Sequence, residues 1–343
     1  MQINKLLKYF LYPASILYGI LAFIKNFFYD IKLLKAKQLP CSVISVGNIT
    51  SGGTGKTPTV LYLCKILQQG GRKNIGIISR GYGRGTKGMF LVSKGDGPLA
   101  SWESSGDEPL MMAKKTRNIP IVVDNDRYRG GEFLHRHFNT EIIILDDGFQ
   151  HRSLYRNLNI VLINGDSSPS DYQFLPFGFL REPWSSLKRA DSVIFTKSKP
   201  RQFLLNKIKK ADVPYFHSYM KSFISFHSLS RKKQLKNLTG EKVVLLSGIG
   251  DPKSFEKTIR AYNCVIERHE VFRDHYSYSK SDIFKIINFS KKKNVGYIIT
   301  TEKDWVKIDP LKPNFPFIIV KIETDLIEKD SINKLLKNYL VKS

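Results

Sequence analysis

The run Gly47-Asn-Ile-Thr50-Ser51-Gly52-Gly53-Thr54-Gly55-Lys56-Thr57-Pro58 gathers in one short segment the groups that hold a nucleotide's phosphates. Gly52, Gly53 and Gly55 let successive backbone N–H groups turn toward an anion. Lys56 supplies a cation for the β and γ phosphates, and Thr57 a hydroxyl for Mg2+. Thr50 stands where the usual phosphate-loop pattern has its first glycine, so the loop is a variant running from Thr50 through Ser51 and Thr54 to Thr57. Its context compensates. A β-branched strand, Ser42 to Val46, precedes it. Pro58 suits the first turn of a following helix, whose apolar face is Val60, Cys64 and Leu67 and which Gly70-Gly71 stops.

A metal that bridges phosphates needs a carboxylate, and Ile142-Ile-Ile-Leu-Asp146-Asp147-Gly-Phe-Gln150-His151 supplies two at the end of a buried strand. Successive strand residues point to opposite faces, so Asp146 and Asp147 are expected to differ, with one of them facing the loop. The nucleotide reads as ATP. A guanine-reading segment ends in an acid, which Thr196-Lys-Ser-Lys199 lacks, and a partition ATPase carries its signature lysine where Thr50 and Ser51 stand.

A phosphoryl acceptor needs a base or a positioning carboxylate. Gly106-Asp107-Glu108-Pro109 puts Asp107 at a loop-to-helix junction, a setting that also suits a helix cap. Arg80-Gly-Tyr-Gly-Arg84 follows a predicted strand and offers Arg80 and Arg84 to a phosphate, or forms a plain basic turn. Asp274-His275-Tyr276 precedes a helix; His275 there either orients a catalytic carboxylate or caps the helix.

The elements that must position these groups follow an α/β rhythm. Strands are expected at 42–46, 75–79, 119–123, 142–145, 160–163 and 193–196, alternating with helical patterns, which argues a mostly parallel sheet with ligands beyond its strand C-termini. A polar, lysine-rich stretch separates these from strands at 243–246, 264–267, 296–300 and 317–320. The expected organisation is therefore an N-terminal helix in 1–38, a phosphate-loop core in 39–217, a linker in 218–241 and a smaller α/β domain in 242–343.

Fifty-five Lys and Arg against 30 Asp and Glu give a formal charge of +25 over 343 residues, which suits anionic surroundings of several kinds or simply solvated faces such as Arg231 to Lys233 and Lys291 to Lys293. Cys41, Cys64 and Cys264 form no disulfide framework, consistent with a reducing compartment. Tyr9 to Ile24 is apolar and aromatic, with Pro13 early in it. As a helix it spans roughly 24 Å, short of the roughly 30 Å hydrocarbon core. Lys5, Lys8, Lys25, Lys32, Lys35 and Lys37 flank it against a lone Asp30. The expected reading is a monotopic helix lying beside anionic headgroups, in preference to a cleaved signal or a buried core helix.

Taken together, Gly47 to Pro58, Arg80 to Arg84, Gly106 to Pro109, Asp146 to His151, Asp274 to Tyr276 and Thr300-Thr-Glu-Lys-Asp304 resemble the tetraacyldisaccharide 4'-kinase family in order and spacing. Arg181-Glu-Pro183, Leu187 to Asp191 and Ser247 to Pro252 extend the likeness over nearly the whole chain after the first helix. The resemblance implies a phosphate-loop core joined by a β linker to a smaller α/β domain. It also implies an MgATP-dependent kinase that phosphorylates the 4' hydroxyl of a tetraacylated glucosamine disaccharide 1-phosphate to give lipid IVA, at the cytoplasmic face of the bacterial inner membrane. Asp107 and His275 match an acid and a histidine acting together across a cleft. Lys56 and Mg2+ then neutralise charge in a direct in-line transfer, and Asp107, oriented by His275, takes the hydroxyl proton. Arg80, Arg84, Gln150 and His151 are the candidates for substrate contact. Nucleic acid is not an expected partner. The rivals are a kinase for another membrane glycolipid and, less favoured, a partition-type ATPase.

Overall fold

The computed structural model describes residues 10–228, 231–234 and 237–340, with side chains described outside 226–236 and 340. Lys5, Lys8 and Tyr9 of the expected helix flank lie outside the described residues, as do the side chains of Arg231 to Lys233.

Among the described residues the strands are β1 (Ser42–Asn48), β2 (Ile75–Ser79), β3 (Phe90–Ser93), β4 (Ile121–Val123), β5 (Ile142–Asp146), β6 (Leu158–Asn164), β7 (Ser192–Thr196), β8 (Tyr215–Ser228), β9 (Arg231–Gln234), β10 (Lys242–Ser247), β11 (Val265–Val271), β12 (Tyr297–Thr301) and β13 (Phe317–Leu326). The principal helices are α1 (Tyr12–Asp30), α2 (Lys56–Gln69), α3 (Asp107–Lys115), α4 (Arg127–Phe138), α5 (Gln202–Ala211), α6 (Pro252–Arg260), α7 (Lys280–Lys292), α8 (Glu302–Ile308) and α9 (Lys329–Leu340).

The strands form a sheet in the order β11-β10-β12-β13-β8-β7-β6-β1-β5-β2-β4-β3, with β9 paired to β8. β1, which leads into the glycine-rich loop, lies between β5 and β6, parallel to both, and every residue of it is buried. A strand covered on both faces has no solvent side to make polar, which is why 142–145 reads as an unbroken apolar run and 42–46 is broken only by the small buried Ser42 and Ser45. Val60, Leu63, Cys64 and Leu67 of α2 close one face of β1 and β5 with Ile44, Val46 and Ile144. α4 closes the other through Leu134, against Val43, Ile78 and Ile143.

The expected linker, 218–241, is strand in its first half: β8 runs through it, parallel to β7 at Val193–Phe195 and antiparallel to β13 from Ser218 opposite Leu326 to His227 opposite Phe317. The sheet is therefore continuous from β11 to β3. Polar composition concealed a strand alternation: Phe216, Ser218 and Ile224 are buried while Tyr215, Tyr219, Lys221 and Phe223 are exposed.

The N-terminal helix also differs from expectation. Pro13 sits in its first turn, where the missing N–H is no loss, so it starts the helix rather than breaking it, and the helix continues past Lys25 to Asp30. Within α1 only Ser15 and Gly19 are buried. Ser15 Oγ donates to the Phe174 carbonyl at 2.7 Å, and a Cβ on Gly19 would stand 2.7 Å from the Phe174 ring, so these small residues form the docking line. Asn26 and Asp30 fasten the far end, to Glu182 and Arg152. Leu17, Leu21, Phe23, Ile24 and Phe27 are left exposed. Among the described residues no helix is long and apolar enough to cross a membrane.

Candidate active site

At the C-terminal end of β1 the chain leaves the sheet through a loop held on all sides. Gly47 is required there: a Cβ would meet Phe149 Cβ at 2.5 Å and the Phe149 backbone nitrogen at 2.7 Å. Asn48, fully buried, donates to Thr54 Oγ1 at 2.9 Å and ties the loop across its own base. Gly52 and Gly55 take φ of 103° and 84°, left-handed values that an L side chain resists. The loop then lines a cavity of about 930 Å3 from Gly52 to Pro58. Thr50 and Ser51, expected to hold phosphate, are directed elsewhere. Thr50 pairs with Leu180 and the Ser51 N–H donates to the Phe179 carbonyl at 2.6 Å, so this half of the loop is an anchor to the 179–180 segment.

Asp146 and Asp147 diverge as strand geometry requires. Asp146 is 2% exposed; its Oδ2 accepts from Ser79 Oγ at 3.1 Å, while its Oδ1 has no partner among the described residues. Burial, then the nearby charges of Glu108 and Asp147, push it up to about 7 against the opposing pull of Lys56. Asp147 steps out of the strand at φ 56° and accepts from Arg181 Nη1 at 2.9 Å, with Lys56 Nζ at 3.6 Å. Burial alone would raise it, but Lys56 and Arg181 hold it below the usual carboxylate range. A buried carboxylate oxygen lacking a donor, beside the Thr57 hydroxyl in one cavity wall, is a donor set that fits Mg2+, which takes few protein oxygens and leaves places for phosphate and water.

The C-terminal half of the chain contributes the opposite wall. His275, at φ 60° in the turn after β11, places Nδ1 2.9 and 3.0 Å from the two carboxylate oxygens of Asp107, which begins α3. Lys303 Nζ lies 3.1 Å from His275 Nε2, 3.0 Å from Asp274 Oδ1 and 3.3 Å from Glu108 Oε1. An ammonium can only donate, so Nε2 accepts and Nδ1 carries the proton shared with Asp107. Asp107 is 4% exposed and also accepts from its neighbour's N–H and from Lys307 Nζ at 3.3 Å. Burial would raise its pKa, but the His275 hydrogen bond and the charges of Lys303, His275 and Lys307 bring it down to about 2. His275, not Asp107, is the member of the pair that lines the cavity.

Of the substrate candidates, Arg80 is exposed and lines the cavity, whereas Arg84 does not reach it. The Arg84 guanidinium donates to the carbonyls of Gly88 at 2.6 Å and Val123 at 3.2 Å, so it holds the 80–88 loop against β4. Gln150 and His151 line the cavity. Gln150 braces the loop by donating to the Asn48 carbonyl at 2.7 Å, and burial with Arg127 and Arg156 nearby pulls His151 down to about 4, keeping it neutral near pH 7. Sequence reasoning missed Arg127, Lys303 and Lys307 and gave Arg181 no task. Lys303 lay in a motif already singled out, but nothing in its spacing points to a histidine far away in the chain.

A family model described as Tetraacyldisaccharide-1-P 4'-kinase matches residues 7–341. The tetraacyldisaccharide 4'-kinase of Halothermothrix orenii is 34% identical, the match covering 98% of this chain and 94% of that one. The enzyme of the same name from Aquifex aeolicus is 34% identical over 95% of this chain and 97% of its own. The crystal structure of an "apo" form LpxK from Aquifex aeolicus in complex with ATP superimposes with a TM-score of 0.79 at 34% identity, covering 97% of this chain and 99% of that one. A glycine-rich loop, two carboxylates at the neighbouring strand end and an aspartate–histidine contact all face or adjoin one cavity, in a chain matched almost end to end, and this chain belongs to the tetraacyldisaccharide 4'-kinase family.

Proposed function

We propose that this chain transfers the γ-phosphoryl group of ATP directly to the 4' hydroxyl of an acylated glucosamine disaccharide 1-phosphate, giving lipid IVA in lipid A biosynthesis. The observation that carries the site assignment is the His275–Asp107 contact: residues from distant parts of the chain meet at the wall of the cavity that the phosphate loop lines. Gly52, Gly53 and Gly55 present N–H groups to the phosphates and Lys56 follows the γ-phosphoryl oxygens, leaving its 3.6 Å pairing with Asp147. Arg181 retains Asp147 while Lys56 is so engaged.

Thr57 and Asp146 would hold Mg2+, with Asp147 beside them; when bound, the ion neutralises charge on the β and γ phosphates. The acceptor proton passes to the hydrogen-bonded Asp107–His275 pair. His275 is the member of the pair that lines the cavity, with Asp107 behind it on Nδ1 as an anion that stabilises the charged imidazole; Nε2, which accepts from Lys303, takes the proton once that ammonium has moved off it. Arg80, Gln150 and His151 border the space where a phosphorylated sugar would lie, whereas Arg84 serves the loop beneath. The exposed apolar side of α1 rests in the cytoplasmic leaflet among anionic headgroups, so the protein works as a peripheral or monotopic enzyme on an acceptor that stays in the membrane. Residues 39–217 act as the nucleotide-binding part and 242–343 as the part that brings His275.

Incubation of the protein with MgATP labelled at the γ-phosphate and tetraacyldisaccharide 1-phosphate in detergent tests this. Label in a bisphosphorylated lipid, lost in Lys56→Ala, Asp107→Asn and His275→Ala, supports the reading. ATP hydrolysis without lipid labelling favours another glycolipid acceptor or a partition-type ATPase.

A further inference from the structure

We propose that Lys307 is the positioning cation of the catalytic pair: from α8 it holds the Asp107 carboxylate ionised and aimed at His275, with Asp304 as its back-stop. The inference rests on the Asp107–His275 reading above and extends it to a residue outside the cavity wall.

Lys307 is one of the largest fully buried side chains among the described residues, at 2% exposure. Lysine is almost never fully buried without a partner, and an apolar residue of similar volume would fill the same space without the cost of stripping water from an ammonium. Its Nζ lies 3.3 Å from Asp107 Oδ2 and 3.6 Å from Asp304 Oδ1. Asp304 does not depend on it. Its Oδ2 accepts from the Gly248 N–H at 3.0 Å and from Thr301 Oγ1 at 2.8 Å, and its Oδ1 from the Tyr278 hydroxyl at 3.0 Å. The nearer and otherwise less satisfied partner is Asp107.

The groups that act on Asp107 among the described residues are the Glu108 N–H on α3, His275 and Tyr278 on the turn after β11, and Lys303 and Lys307 on α8, with Asp274 behind His275 and Lys303 and Asp304 behind Lys307. Lys303 is committed to Glu108, Asp274 and His275 Nε2, which leaves Lys307 as the cation in direct contact with the carboxylate. Fixed on Oδ2, it turns the carboxylate so that both oxygens meet His275 Nδ1. Because Lys307 does not line the cavity, its effect falls on proton transfer and not on ligand binding.

The test is the pH dependence of kinase turnover in Lys307→Met, with Tyr278→Phe as a second variant and Asp107→Asn as control. Lys307→Met is expected to lower kcat about tenfold or more. It should leave KM for ATP and lipid within about twofold and move the acidic limb of the kcat profile upward by about one pH unit or more. Tyr278→Phe leaves Asp304 Oδ1 with Lys307 as its remaining donor and draws the ammonium from Asp107, so a smaller shift in the same direction is expected. It also decides the matter if Lys307→Met does not fold. A wild-type acidic limb in every variant that folds overturns the proposal. If Asp107→Asn keeps full activity, the catalytic pair itself is wrong; if that variant is inactive while the limb stays put, only the role of Lys307 is.

Discussion

Replacing Asp146 with asparagine should make the protein more stable and disable it as a kinase. The side chain is buried, one oxygen is held by Ser79 and the other has no donor. Its pKa rises from 3.8 to about 7, so the folded state binds its proton far more tightly than the unfolded chain does. Below pH 4 both states are protonated and there is no penalty. Between about pH 4 and pH 7 the unfolded state releases the proton while the folded state keeps it, and stability falls as pH rises, levelling off above pH 7. A rise of about three units corresponds to a ceiling of about 4 kcal/mol. Water entering from the cavity reduces this to on the order of 2 kcal/mol. Asparagine keeps an acceptor for Ser79 and cannot ionise. Urea unfolding of the nucleotide-free protein at pH 5 and pH 8 should show wild type losing stability across that interval more steeply than Asp146→Asn, whose advantage is larger at pH 8. Turnover should fall on the order of 100-fold or more, because a neutral amide is a poor ligand for Mg2+. An equal advantage at both pH values, or a less stable variant at pH 8, would refute the reasoning about Asp146.

Further consequences follow from the packing around the loop and the first helix. Gly47→Ala forces a Cβ to within 2.5 Å of Phe149, where backbone stands behind it, and should cost about 2 to 3 kcal/mol; an unchanged melting temperature by calorimetry would contradict that. Asn48→Ala removes the buried tie to Thr54 and should weaken ATP binding by about three- to tenfold in titration calorimetry while leaving the fold intact. Replacing exposed Phe23 and Phe27 together with aspartate should reduce co-sedimentation with anionic vesicles by on the order of tenfold or more, with thermal stability unchanged. Retained vesicle binding would place the membrane contact elsewhere.

Local chemistry was legible in the sequence because it is encoded locally. The glycines and lysine of the phosphate loop, the strand ending at Asp146 and the helix that Gly70 stops are each read within a few residues. β2 falls at Ile75–Ser79, as the apolar run predicts, and the parallel sheet follows from strands too apolar to have a wet face. The alternation that makes β8 a strand was present in the sequence as well, but lysines and serines masked it, since at a sheet position open to solvent on one side polarity tells nothing about backbone pairing. Tertiary structure decided the rest. It bound Thr50 and Ser51 to Phe179 and Leu180, turned Arg84 away from the cavity and gave Asp147, not Asp146, to the cations. It also brought Lys303 to Glu108 and Lys307 to Asp107, carboxylates from the other end of the sheet's chain order. Such pairings leave no periodic trace, because which side chains meet across a sheet is set by the order in which strands join it, and β8 joins the N-terminal strands to the C-terminal ones.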